Sequence, residues 1–370
     1  MANRSLATLI YILFSFLSRK LGAIPLTTKV ASFLAGFMKK VFAVVMLLTM
    51  MASSVAEAAE LGGQQKVSLK LAGTIAVGAP GDLAAKEFVK AVEERTGGVV
   101  HIDYYPAGQL GNSDELSEQL LMGTIDLNWQ TLDWYMTLQN DWNVLGLGFA
   151  VESKEHLAKF LASERQAEIV KKLLDEDGIR LLACNGISSP RVLISVNPVN
   201  SANDIQKINM RVPSLDLYTR TWQAIGVNCI TLSTGDVYMG FKDGMIAATE
   251  FPLGSIYNNA YHEVAKNITY TNHLYSIYCM GANEENFQSK LTPEAQAVLI
   301  ECAEQACQDY MKYDAVSVAE GVEAMKAAGV EFNETPDLES FRAKMSGVAE
   351  KCEADGLWSK GLFEYLQNCK

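Results

Sequence analysis

Two arginines stand in short β-leaning runs among apolar neighbours. Arg211 lies in "INMRVPS" (208–214), and Arg191 in "SSPRVLISV" (188–196), twenty positions earlier. A guanidinium stays charged at physiological pH and presents a planar fork that matches a carboxylate bidentately. Both arginines are therefore candidates for meeting an anion. For Arg211 the competing reading is an ion pair with one of the chain's own Asp or Glu residues; for Arg191 it is an exposed strand arginine. The glycine-rich turn "AVGAPGD" (76–82) runs into a helix start and can offer backbone N–H groups to an anion, or it is a plain strand-to-helix turn.

Other reactive constellations are missing. The four histidines, His101, His156, His262 and His273, are scattered, and "YHEVAK" around His262 lacks the second histidine of a zinc-protease helix. The sequence has no G-x-S-x-G, Walker loop or G-x-G-x-x-G. Its seven cysteines, Cys184, Cys229, Cys279, Cys302, Cys307, Cys352 and Cys369, form no C-x-x-C and have no histidine at zinc-ligand spacing. Packed, reduced thiols are expected, and the spacing names no pair. No metal, no cofactor and no catalysis are expected, although catalytic carboxylates among the many Asp and Glu residues are not excluded by sequence.

The chain has 370 residues, 49% of them hydrophobic and 20% charged, with a formal net charge of -12. That balance, without a basic stripe, argues against nucleic acid as a partner. From Met38 the chain reads "MKKVFAVVMLLTMMASSVAEAAE": two lysines, an apolar run too short to span a bilayer, then an A-x-A site at Ala56 and Ala58. We read 38–58 as a signal peptide cleaved after Ala58, and 1–37 as a spurious extension upstream of the true start. The first 58 residues hold six basic residues and one acidic. The remainder carries 25 basic against 42 acidic, an exported acidic protein.

Periodicity supplies the elements that would position the arginines. A strand at 67–76, a helix with Asp82 as N-cap, a strand at 99–106, a helix opened by an Asn112/Glu115 capping box and a strand at 124–129 alternate as an α/β lobe. A helical stretch at 153–177 and a strand at 179–184 follow. A helix opened by Ser214 and closed by Gly226 comes after the arginines. A helix capped at Thr292-Pro293 runs to about 327, followed by the strand "VEFNE" and a helix from Leu338. Ligands of such sheets bind beyond the carboxyl ends of strands, so Trp129, at the end of a strand, is expected to face a cleft and stack on a ligand.

The segment 208–252 resembles the solute-binding proteins of TRAP (tripartite ATP-independent periplasmic) transporters, the DctP family. Arg211-Val212-Pro213 matches the R-V-P block. Gly226 and the run to Leu232 fall at the second block, and Val237-Tyr238, Glu250 and Pro252 at the third. Upstream, "IDYYPAGQLGNSDELSEQLLMGTIDLNW" (102–129) is similar to the family's "YP-x-x-QLG" and "G-x-(I/L)-D" run. The resemblance implies a two-lobed α/β periplasmic binding protein, type II-like, with a ligand cleft between lobes and a long helix near the C-terminus. It divides the chain into lobe I (59–187 plus 277–316) and lobe II (188–276 plus 317–370).

It further implies that Arg211 pairs with a ligand carboxylate, that Arg191 aims at the same anion, and that Thr74 and Thr131 occupy cleft positions. The family's Ala-Leu-Gln positions read Gly240-Phe241-Lys242 here, and its Asp-Gly reads Ala247-Ala248. Phe251 replaces a frequent asparagine, which points to a less polar ligand, aromatic or branched. The implied function is capture of a small organic carboxylate in the periplasm and delivery to a TRAP membrane permease. A secreted hydrolase or lyase acting on a carboxylate, and a ligand-sensing domain, are the alternatives. N-terminal sequencing is expected to find Ala59 leading the exported protein and Met38 leading the precursor. Precursor residues from before Met38 would show that the extension is real.

Overall fold

The computed structural model describes residues 61–370; the expected extension 1–37 and signal 38–58 lie outside them. The first lobe opens with β1 (Val67–Ala72), α1 (Pro80–Arg95), β2 (Val100–Tyr105), α2 (Ser113–Leu121) and β3 (Leu127–Thr131). Both β2 and β3 pair in parallel with β1. The capping box forms: Asn112 Oδ1 accepts from the Glu115 N–H at 3.0 Å, and the Glu115 carboxylate accepts from the Asn112 N–H at 2.8 Å. Asp82 is not a cap, because α1 starts two residues earlier at Pro80, a residue suited to a first turn. Its buried carboxylate instead accepts from the Gly78 N–H at 2.7 Å, which ties the preceding loop to the helix.

The helical stretch at 153–177 is two helices, α3 (Lys154–Leu161) and α4 (Glu164–Asp177), because Ser163 caps the second. The strand expected at 179–184 continues as β4 (Ile179–Ser195). Its first part pairs antiparallel with β9 (Tyr275–Asn283), which in turn pairs with β3. From Arg191 onward β4 changes partners. It now lies between β7 (Ala248–Pro252) and β8 (Asn267–Thr269) in the second lobe. There β5 (Asn209–Val212) joins β7 to β6 (Asn228–Thr231), and β10 (Glu331–Asn333) extends β8. One strand is thus an edge of the first sheet and an interior strand of the second.

Between β5 and β6 lies α5 (Asp216–Ile225), which ends at Gly226 with φ 104°, a backbone conformation natural to glycine. Ser214 does not open this helix. Its hydroxyl donates instead to Asp114 Oδ2 of the first lobe at 3.1 Å. The second lobe also holds α6 (Val237–Lys242) and α7 (Leu253–Asn258). Next come α8 (Glu284–Lys290) and the 35-residue α9 (Pro293–Ala327), capped by Thr292. Ala295, Leu299, Ala303 and Ala306 pack α9 against Ala84, Phe88 and Val92 of α1. Further along, Val318, Val322 and Met325 pack on the second lobe.

The C-terminal segment departs from its expected place. Phe341 of α10 (Leu338–Lys344) packs with Trp222 and Ile225, as a second-lobe residue should. In α11 (Val348–Ala354) and α12 (Leu362–Asn368), however, Cys352, Leu362 and Leu366 pack with Trp142, Leu157 and Phe160. The His156 ring bonds the Leu366 carbonyl at 2.7 Å, and Asp141 accepts from the Ser359 N–H at 2.7 Å. The last 20 or so residues therefore belong against the first lobe, because their apolar faces match its surface.

Cysteine pairing is a second correction. Cys184 and Cys279 are opposite one another in the β4–β9 register and form a disulfide, while the other five remain thiols. Gly281 on β9 sits where any side chain would strike the buried Tyr135 hydroxyl and approach Asn128 Oδ1 to 2.7 Å. Gly281→Ala is expected to cost about 1–3 kcal/mol through overpacking, read as a lower urea midpoint at unchanged slope. An unchanged midpoint would mean that Tyr135 moves aside freely.

Candidate ligand-binding site

The strand ends, the long helix and the partner change of β4 converge on a partly open chamber of about 140 Å³. The first lobe contributes the loop after β1, the end of β3 and the turn carrying Asp133 and Trp134. The second lobe contributes Arg191, Arg211, Tyr218 and Phe251. Tyr278 of β9 and Tyr310 and Asp314 of α9 complete the wall. A wider vestibule of about 590 Å³ adjoins it, lined by Gly108, Asn112, Asp114, Ser214 and Ser233. Arg211 and Trp134 line both spaces.

The two arginines have opposite circumstances. Arg191 already has an anion: its Nε and Nη2 donate to the Glu250 carboxylate at 2.5 and 2.8 Å. Its Nη1 donates to Ser276 Oγ at 2.8 Å. Burial alone would push the Glu250 carboxyl up, but the Arg191 charge and the hydrogen bonds from Arg191 and His273 bring it down to about 2. His273 Nε2–H donates to Glu250 at 3.1 Å, which leaves Nδ1 to accept the Thr271 hydroxyl at 2.8 Å. Arg191 is held by the protein itself.

Arg211 has no such partner. Only 3% of it is exposed, yet among the described residues the one hydrogen bond of its side chain is from Nε to the Leu232 carbonyl at 2.8 Å. Its guanidinium carbon lies 4.9 Å from the centre of the Phe251 ring, a cation–π contact. Burial lowers its pKa to about 10, Glu250 and Tyr261 offset only part of that, and the Arg191 charge adds to the fall. At neutral pH it remains charged.

Phe251 lines the chamber and also serves Arg191, whose guanidinium carbon is 5.4 Å from its ring. Thr74 and Thr131 line the chamber, and Thr74 Oγ1 lies 3.3 Å from Ser113 Oγ. Trp129 does not face it. Its side chain is fully buried, packs against Tyr278 and Tyr310, and donates from Nε1 to the Gly81 carbonyl at 2.9 Å. Side chains alternate along a strand, so Gln130 turns to the face opposite Trp129 and lines the chamber; Thr131, the last residue of the strand, lines it as well, while Trp129 fills the core.

Sequence reasoning passed over Asp133, Gln130, Tyr218, Tyr310 and Asp314. Tyr310 and Asp314, four apart on one helix, share a face, and that spacing was visible. Nothing in the sequence showed that this face crosses the cleft.

The chain matches the family described as "Bacterial extracellular solute-binding protein, family 7", DctP, over residues 71–355. It belongs to the DctP family of solute-binding proteins. This DctP-family chain is 27% identical to the 2,3-diketo-L-gulonate-binding periplasmic protein YiaO of Escherichia coli K12, over 70% of its own length and 78% of the relative's. With the C4-dicarboxylate-binding periplasmic protein DctP of Rhodobacter capsulatus the identity is 26%, over 73% and 81%. Among solved structures, a TRAP periplasmic solute-binding protein from Sulfitobacter sp. NAS-14.1 with bound β-D-galacturonate superposes with a TM-score of 0.75. That pair is 26% identical and covers 82% of this chain and 99% of the other. One from Pseudomonas putida F1 with bound D-glucuronate gives 0.75 at 25% identity, covering 81% and 97%. The chain is a TRAP-type solute-binding protein with the two-lobed α/β fold.

The Glu250 carboxyl is lowered in the fold, so its contribution is complete above its ordinary value of 4.5 and is lost as pH falls from 4.5 toward 2. Urea unfolding at pH 7 and at pH 3 is expected to show a loss of about 2 kcal/mol, the larger part of the contribution, with the rest lost only below pH 3. Glu250→Gln should remove that part of the pH dependence. It should also cost about 3–5 kcal/mol at pH 7, because Arg191 is left buried and unpaired. Equal acid sensitivity in the variant would place the titrating group elsewhere.

Proposed function

We propose that the mature chain captures a small organic carboxylate in the periplasm and delivers it to a TRAP membrane permease without changing it chemically. One observation carries this reading. Arg211 is buried, charged and without an anionic partner, and it borders a chamber walled by both lobes. Arg191, by contrast, is neutralised by Glu250, so its part is to hold the site's wall and place Phe251. A guanidinium fork left open in a desolvated pocket favours a carboxylate held in one orientation. The acids bound by the solved relatives, galacturonate and glucuronate, carry that group.

Capture involves closing two lobes on the ligand. The lobes we assign are 59–187 with 277–316, joined by the C-terminal helices, and 188–276 with the segment from 317 through Phe341. Hinge bending is proposed where β4 and β9 cross between them. A ligand that touches both walls shifts the population toward the closed form. The Ser214–Asp114 hydrogen bond would break on opening.

The test uses residues 59–370, unfolded and refolded to strip carried-over ligand. Thermal shift against D-glucuronate, D-galacturonate and smaller aromatic or branched acids should find one that stabilises. At 100 times its dissociation constant a ligand adds about 2.7 kcal/mol. Arg211→Gln is expected to weaken binding by about 30-fold or more, since truncating a buried charge partner costs 2–5 kcal/mol. A folded Arg211→Gln protein that binds the same acid equally well would defeat the assignment. So would conversion of the acid by the wild type.

A further inference from the structure

Arg211 is only half of the chamber's unmet chemistry. Three acceptors line the same space. Asp133 and Asp314 are buried, and no Lys, Arg or His nitrogen among the described residues lies within ion-pair distance of either. Asp314 accepts from the Ser189 N–H at 2.5 Å, and its other oxygen has only a long contact to Ser189 Oγ at 3.4 Å. Gln130 donates from Nε2 to Ser117 Oγ at 3.0 Å, but its Oε1 is buried with no donor. Around them stand Tyr218, Tyr278 and Tyr310, the last two with ring centres 4.1 Å apart.

A buried carboxylate without a cation is costly, and a buried amide oxygen without a donor also costs stability. A ligand bearing only a carboxylate answers Arg211, but it leaves Asp133 and Asp314 without an ion-paired cation and Gln130 Oε1 without a donor. An amine supplies up to three N–H donors and a positive charge, and aromatic faces attract such a cation. Burial raises the pKa of both aspartates; Arg191 offsets part of this at Asp133, and the Ser189 N–H part of it at Asp314. A bound ammonium would favour their charged forms.

We propose that the ligand is a zwitterion, its carboxylate on Arg211 and its ammonium among Asp133, Asp314 and Gln130. This rests on the reading of the chamber as a carboxylate site and narrows its substrate class. Thr131, beside Asp133 on the same wall, becomes a neighbour of the cationic end.

Isothermal titration of refolded 59–370 with matched acids that differ only by the amine tests it. The pairs are 4-aminobutyrate with butyrate, L-proline with cyclopentanecarboxylate and L-phenylalanine with 3-phenylpropionate, with D-glucuronate as an amine-free reference. In at least one pair the amine-bearing member should bind about tenfold tighter or more, the scale of one buried charge contact. Asp133→Asn should shrink that gap below about threefold. Asp314→Asn serves the same purpose if the first variant does not fold, and the wild-type comparison stands without either. If the amine-free twins or D-glucuronate bind as tightly or tighter, the zwitterion is refuted and the carboxylate site survives. If no acid of either kind binds, both readings fall.

Discussion

An arginine taken out of water must find an anion, and the second lobe buries two of them within reach of one glutamate. Glu250 answers Arg191 through two oxygens and takes a third hydrogen bond from His273. Its acceptor capacity is then largely committed. Arg211, near the same phenylalanine ring, has one carbonyl as its side-chain partner among the described residues. The arrangement pairs Arg191 within the protein and leaves Arg211 without an anionic partner among the described residues. It also anchors the place where β4 passes into the second sheet, because Arg191 begins the register with β7 and Glu250 sits on β7.

That passage organises the rest of the molecule. A 17-residue strand can serve two sheets only if its partner changes along its length, and β4 exchanges β9 for β7 and β8 between Pro190 and Arg191. The chamber lies at this exchange. There the outward faces of two sheets diverge, and neither lobe's own side chains fill the gap. The long α9 passes behind it, contributing Tyr310 and Asp314 near its middle while its ends pack on different lobes. Arg191, Arg211, Tyr310 and Asp314 thus stand on strands and a long helix, which favours fixed geometry at these charged and polar groups, while a loop and a turn of the first lobe complete the wall.

Much of this was legible beforehand, and the failures have definite causes. Local signals held: the Asn112 capping box, the Thr292-Pro293 start and the Gly226 stop depend on neighbours within four residues. Arg211's position in the R-V-P block was readable, and its open fork agrees with an arginine awaiting an anion. Arg191 looked equivalent because its partner, Glu250, is 59 residues away and pairing across strands leaves no local trace. Trp129 was misplaced because the strand was expected to end at 129, whereas it runs two residues further, to Thr131, and leaves Trp129 inside the strand against the core. The Cys184–Cys279 link and the docking of α11 and α12 on the first lobe are likewise long-range facts.

An acidic protein that binds an anion is not a contradiction once distances are considered. The formal charge of -12 is spread over the surface, where salt screens it beyond about 8 Å. Inside, the relevant quantity is the cost already borne by Arg211. A pKa brought down from 12.5 to about 10 means that burial disfavours its charged form by on the order of 3 kcal/mol. An incoming carboxylate recovers part of that cost, whereas a neutral ligand recovers none. The empty protein is less stable for keeping the fork open, and the same deficit makes it selective. A site that gave Arg211 its own glutamate, as Arg191 has, would fold more firmly and have nothing left with which to choose.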